Sequence, residues 1–184
     1  RTIMIHSHHD SSTPGAVEDA SGTAEVLALA KFYSQIPLKD RPMTLLFTTM
    51  DTHLLNYEAH DVFIANHLRG QDDILADVCL EHIALEAVEG SDGQAVLTGH
   101  VQGRGILVTP AQAMLNITKE EVIRHCLVRT SINKATRYGV VTDADLFAAE
   151  GVPVISFLSA PVYLYDNIDT LDKVAVDELR PTAE

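Results

Sequence analysis

The chain has 184 residues, enough for one domain with a sizeable core, and its 46% hydrophobic content is ordinary for a globular chain and argues against disorder. With 26 acidic against 13 basic residues the formal charge is −13, which speaks against nucleic acid or an anionic membrane as partner, since either needs a basic face; a metal or a cationic ligand suits it better. No apolar run reaches the roughly 18 residues of a membrane span, and the two cysteines, Cys79 and Cys126, sit in apolar stretches and read as buried free thiols rather than a disulfide scaffold.

Thr2 to Ile5 is a short β-rich run that stops where IHSHHDSSTPGAVEDASG begins, a stretch that packs three histidines and three acidic residues into one loop. A buried parallel strand ending there places the loop at the carboxyl end of a sheet, where open α/β sheets bind their ligands. His8 and Asp10 stand two apart, so a carboxylate can hold the imidazole in one tautomer while the ring faces a metal. Glu18 and Asp19 follow at the mouth of the next helix. Pro14 and Gly15 mark the turn, and Asp19 or Ser21 can cap a helix to about Gln35 that buries Val26, Leu27, Leu29, Ala30 and Tyr33.

Residues 43–49 read as the next strand, with MDTHLLNYEAHD as its loop. Asp51 there can be a base, a ligand or a helix cap, and His53 a ligand or plain polar loop. A helix over 56–68 turns Ala59, Val62, Phe63 and Leu68 inward and leaves His60 and His67 as surface or satisfied residues. A third strand over 76–85 carries Glu81 among apolar neighbours, where a carboxylate needs a partner or a cation unless it faces solvent at the strand end. Residues 93–109 alternate like a β-hairpin turning at 99–105, and Thr118 with Glu121 forms a capping box that opens a helix to about Arg129. Asp143 or Asp145 caps a short helix before the strand EGVPVISF; Asp169, Thr170 and Asp172 organise a turn before a last helix over 174–179.

HHDSSTPGAVEDASGTAEVLALAKFYS resembles the first metal-binding segment of the co-catalytic zinc aminopeptidases of metallopeptidase clan MH, an HxDS loop followed by PGAxDxASG opening a helix. LLFTTMDTH, DVCLEHIALE, EGVPVISF and YLYDNIDTLDKV, the last similar to the family's HTxxDTLDKV, follow in the same order. The resemblance implies an α/β three-layer sandwich with a mostly parallel mixed sheet flanked by helices, as one peptidase-like domain over residues 1–184. Because the chain opens at Arg1 directly on a strand, without an initiator methionine, we expect an upstream segment outside this domain.

The family surrounds two zinc ions with two histidines and three carboxylates, one aspartate bridging. Carried over residue by residue, His8 is unchanged, Glu18 replaces the bridging aspartate with Asp19 as the alternative, and Asp51 falls at the family's Glu-Glu pair. Glu81 replaces an aspartate ligand and Tyr165 the second histidine. One imidazole with two or three carboxylates makes a harder site, so the expected cofactor is one or two zinc ions, manganese or magnesium, or none.

The implied activity is metal-dependent, exopeptidase-like hydrolysis of a small peptide or amino-acid derivative. In it His8, Glu18 and Glu81 hold the ion, Asp10 orients His8, Asp51 activates water and Tyr165 steadies the oxyanion. The changed Glu-Glu and second-histidine positions fit an alternative, a non-catalytic relative serving as a binding or assembly module. A serine hydrolase lacks its GxSxG motif here.

Overall fold

The computed structural model describes residues 1–68, 73–135 and 142–184. Its strands are β1 (Thr2–His8), β2 (Thr44–Met50), β3 (Ile74–Leu80), β4 (Leu85–Glu89), β5 (Ala95–Val101), β6 (Arg104–Val108), β7 (Thr130–Lys134) and β8 (Val154–Ser159). The α-helices are α1 (Gly22–Ser34), α2 (Glu58–Phe63), α3 (Gln112–Arg124), α4 (Ala144–Ala149) and α5 (Val176–Ala183). Six strands form one sheet in the order β2-β1-β3-β8-β6-β7, parallel throughout except between β8 and β6. This is the expected α/β architecture with a mostly parallel mixed sheet.

Alternation along the central strands gives the sheet two covered faces. Met4, Cys79 and Val154 pack with Ile64 and Phe147 against the α2 and α4 side, whereas Ile5, Leu80 and Phe157 pack with Val26 and Ala175 on the other side. Helix α1 can come close to the tip of β3 only because residue 22 is glycine: a Cβ there would meet the Leu80 carbonyl oxygen at 2.1 Å. Along α1 itself Glu25 and Val26 are buried and Leu27 is exposed, so a carboxylate takes a place the spacing assigned to an apolar residue.

Several elements depart from the sequence reading. β1 continues to His8, paired on both sides up to His6, so His6 and His8 lie in the sheet and not in the loop. The third strand breaks at Glu81 rather than running to 85. The chain beyond the break forms β4, whose antiparallel partner is β5; the hairpin therefore turns at residues 90–94, and β6 joins the main sheet.

Helix α3 begins at Gln112 and ends at Arg124, with Thr118 buried in its middle. Residues 130–134, unassigned from sequence, form β7 beside β6. Asn56 and Tyr57 adopt left-handed backbone before α2, which changes the helix phase: His60 is buried and Val62 exposed. Cys126 is a free thiol as expected but exposed, whereas Cys79 is free and buried. No helix among the described residues is long and apolar enough to cross a membrane.

Candidate metal centre

The alternation that builds the core also builds the site. His6 and His8 leave β1 on the same face as Met4, and in the neighbouring strand Asp77 and Cys79 leave β3 on that face, with His6 registered against Cys79. Glu81 continues the row: its Oε1 accepts from the Cys79 thiol at 2.8 Å and from the Asp143 backbone N–H at 3.2 Å. The loop after β1 delivers Glu18. Asp169 holds that loop by accepting the Val17 and Glu18 backbone N–H groups at 2.9 and 3.0 Å.

Glu18 is fully buried at the centre of three imidazoles. Its Oε1 lies 3.3 Å from His8 Nε2 and 4.0 Å from His53 Nε2, and its Oε2 contacts His82 Nε2. Glu81 Oε2 is 3.9 Å from the same His82 nitrogen. One ligand atom from each of His8, Glu18 and His53, and likewise from each of His8, Glu81 and His82, falls within 4.8 Å of the others.

The outer nitrogens settle the tautomers. His82 Nδ1 lies 2.7 Å from the Ser159 carbonyl and His8 Nδ1 3.1 Å from the Asp10 carbonyl. A carbonyl can only accept, so each Nδ1 carries a proton and each Nε2 turns its lone pair inward when the ring is neutral. His53 Nδ1 is 2.5 Å from Asp143 Oδ1, which fixes the third ring in the same sense. Holding one ring nitrogen by an oxygen while the other faces a shared point is how ligating histidines are oriented.

His8 Nε2, His82 Nε2 and both Glu18 oxygens are buried without a properly formed hydrogen bond, a costly arrangement that a cation would resolve. With no cation, the groups neutralise one another. Burial disfavours charge on His8 and His82, yet Glu18 and neighbouring acids lift them to about 10 and about 9; burial likewise works against Glu18, and the two imidazoles hold it at about 2.

Two phenols stand at the rim. Tyr165, 49% exposed, is pushed up by burial and by the Glu18 charge, and Tyr57 is pushed up to about 12 by burial and by Asp143 and Glu81. Both remain protonated donors at neutral pH.

Among the residues singled out from sequence, His8, Glu18 and Glu81 come together and Tyr165 reaches the rim. Asp19 is in neither of these ligand groups. Its carboxylate receives the Ser7 hydroxyl and the backbone N–H groups of Gly22, the first residue of α1, and of His82, and burial raises it to about 7. Asp10 approaches His8 through its carbonyl more closely than through its carboxylate, which is 3.5 Å away. That carboxylate instead accepts the His53 and Leu54 N–H groups, each at 3.2 Å, and so shapes the loop that delivers His53. Asp51 is exposed, its carboxylate accepting the Thr52 N–H at 2.7 Å, and enters none of the cluster contacts.

His82, Asp143 and Tyr57 were not anticipated. His82 follows Glu81 directly, and neighbours on a strand face opposite ways; a left-handed φ of 56° at His82 brings its ring back to the same side.

No family model matches the sequence, and no characterised protein matches it by sequence. Solved structures do. An aminopeptidase from Aneurinibacillus sp. strain AM-1 superposes with a TM-score of 0.69 at 22% identity, over 99% of this chain and 41% of that one. BSAP, a zinc aminopeptidase from Bacillus subtilis, gives 0.68 at 16% identity over 99% and 43%. Nicastrin, the gamma-secretase component, gives 0.70 at 11% identity over 99% and 38%. The chain thus has a zinc-aminopeptidase-like fold and spans about two-fifths of the length of these structures.

Proposed function

We propose that the protein is a metal-dependent, exopeptidase-like hydrolase acting on a small peptide or amino-acid derivative. The observation that carries the reading is the convergence of three oriented imidazole Nε2 atoms on the Glu18 carboxylate at the carboxyl ends of parallel strands. Three nitrogens with one or two carboxylates make a softer set than the sequence suggested and favour zinc over magnesium or manganese. When bound, the ion would polarise a substrate carbonyl and lower the pKa of its water to about 7.

In this reading His8, His82 and Glu18 hold the ion, with His53 completing the set. Glu81 has one oxygen engaged by Cys79 and Asp143 and the other left toward the cluster, so it is placed to take the proton of the attacking water. Asp51 does not take that part. Tyr165 and Tyr57 are the donors available to a carbonyl oxygen that gains negative charge.

The test is elemental analysis of protein purified without chelator, followed by assay of amino-acid nitroanilides. Zinc bound through His8, with turnover lost in Glu81→Gln while that zinc is kept, is the expected result; absence of both zinc and turnover overturns it.

A second reading, a binding or assembly module without catalysis, is supported by the position of Asp51 outside the cluster. It predicts no turnover of any nitroanilide, and a full metal site or activity lost in Glu81→Gln would count against it.

A further inference from the structure

Two residues back along β1, a second group of ligand-type side chains lies sealed inside the layer between the sheet and helices α2 and α4. We propose that His6, His60 and Asp143 form a second cation site, distinct from the one around Glu18, and that it takes a divalent transition metal such as zinc. The proposal stands on its own residues and holds whether or not the protein is a hydrolase.

His6, His60 and Asp143 are all completely buried, and one ligand atom from each lies within 4.8 Å of the other two. His60 Nε2 is 3.1 Å from Asp143 Oδ2. Asp77, also fully buried, holds His6 Nε2 at 3.1 to 3.2 Å through both of its oxygens, the carboxylate–histidine pairing that orients a metal-binding ring. That leaves His6 Nδ1 and His60 Nδ1 without a hydrogen-bond partner, and the contact between His60 Nε2 and Asp143 Oδ2 is not a properly formed hydrogen bond. Unsatisfied buried donors and acceptors are costly in a protein interior, and a cation held by one atom from each of His6, His60 and Asp143 would relieve that cost.

Charge points the same way. Asp77 and Asp143 are buried carboxylates on either side of His6 and His60, and a divalent cation between them would offset their negative charge. Two imidazoles and a carboxylate select zinc or a similar metal over calcium or magnesium. Phe147 closes the site, its ring centroid 5.1 Å from that of His6 and 6.2 Å from that of His60, so no substrate reaches it. Its role is to set geometry. Asp143 offers Oδ2 to this site and Oδ1 to His53 Nδ1, so an ion behind it fixes the ring that completes the front cluster.

Diffraction at the zinc absorption edge from zinc-saturated crystals of the unaltered protein decides the matter directly. An anomalous peak between His6 and His60, about 2.0 to 2.1 Å from a nitrogen of each, is expected; a saturated crystal with no peak there overturns the proposal.

In solution, zinc stoichiometry is measured by equilibrium dialysis and elemental analysis for the unaltered chain, His60→Gln and Glu18→Gln. Each variant is expected to lose one ion per chain and keep the other, and Asp77→Asn to weaken the rear ion roughly 10- to 100-fold. A His60→Gln chain that retains as much zinc as the unaltered one sinks the rear site alone. If instead Glu18→Gln retains all its zinc while His60→Gln loses an ion, the rear site stands and the front reading fails.

Discussion

His6 and His8 leave the same face of the same strand, and each meets a buried carboxylate, yet they belong to regions of different character. His8 opens toward the loop carrying His53 and a rim formed by Tyr57 and the half-exposed Tyr165; His6 lies beneath Phe147 with no path to solvent among the described residues. Similar ligand chemistry two residues apart therefore divides between a position a substrate can approach and one it cannot. What separates them is depth along β1, since each residue of a strand advances by about 3.3 Å.

The largest effect is expected from removing Glu18, the carboxylate that the three front imidazoles share. Glu18→Ala is expected to abolish the front ion and lower nitroanilide turnover more than about 100-fold, beyond what loss of an orienting contact alone produces. The rear ion should stay. Equal loss of both ions, measured by elemental analysis, would mean that the two clusters are one site.

Glu25 is the opposite case, a buried carboxylate whose shift has no histidine among its causes. It is 2% exposed in an apolar groove between α1 and α5, and neither of its oxygens has a hydrogen-bond partner. Burial, helped by Asp19 and opposed in part by Arg104, pushes it up to about 8, whereas imidazole neighbours hold Glu18 at about 2. The folded-state value lies above the ordinary 4.5, so the folded protein binds this proton more tightly than the unfolded chain does. Glu25 is therefore best accommodated below pH 4.5, and stability is lost as pH rises from there to about 8. Glu25→Gln should change little at pH 4 and stabilise the protein at pH 9 by on the order of a few kcal/mol. Urea unfolding at both pH values checks this, and a variant no more stable than the unaltered chain at pH 9 would refute it.

The sheet was legible because central parallel strands are covered on both faces and so appear as apolar runs, punctuated here by Pro14–Gly15 and by the Gly151–Pro153 turn before β8. Around the site, patterns of residue type were legible and backbone reversals were not. His8 and Glu81 stand out as polar groups within or at the end of apolar runs, and Glu18 through the likeness of its loop to PGAxDxASG. His82 did not, because alternation puts it opposite Glu81 and only its left-handed backbone returns it.

His60 was hidden for a related reason: left-handed residues at 56 and 57 start α2 in a phase that the periodicity of 56–68 does not reveal. Asp143 occupies the capping position expected of it before α4. Its side chain caps nothing there, because two imidazoles across the interior compete for the carboxylate.

The mildest intervention concerns the acid that the Glu-Glu correspondence nominated as general base. Were Asp51 that base, Asp51→Asn would keep its shape and remove its proton affinity, and turnover would fall by about 100-fold or more. In the structure its carboxylate is exposed and occupied with the Thr52 N–H, at a residue whose left-handed φ of 62° turns the chain away from β2. An asparagine oxygen can accept that same hydrogen bond. Stability and zinc content should therefore be unchanged, and turnover should stay within about twofold, the range of substitutions remote from any special feature. Parallel assays of Asp51→Asn and Glu81→Gln place the base: loss in the second alone assigns it to the tip of β3, and loss in the first alone returns it to the loop after β2.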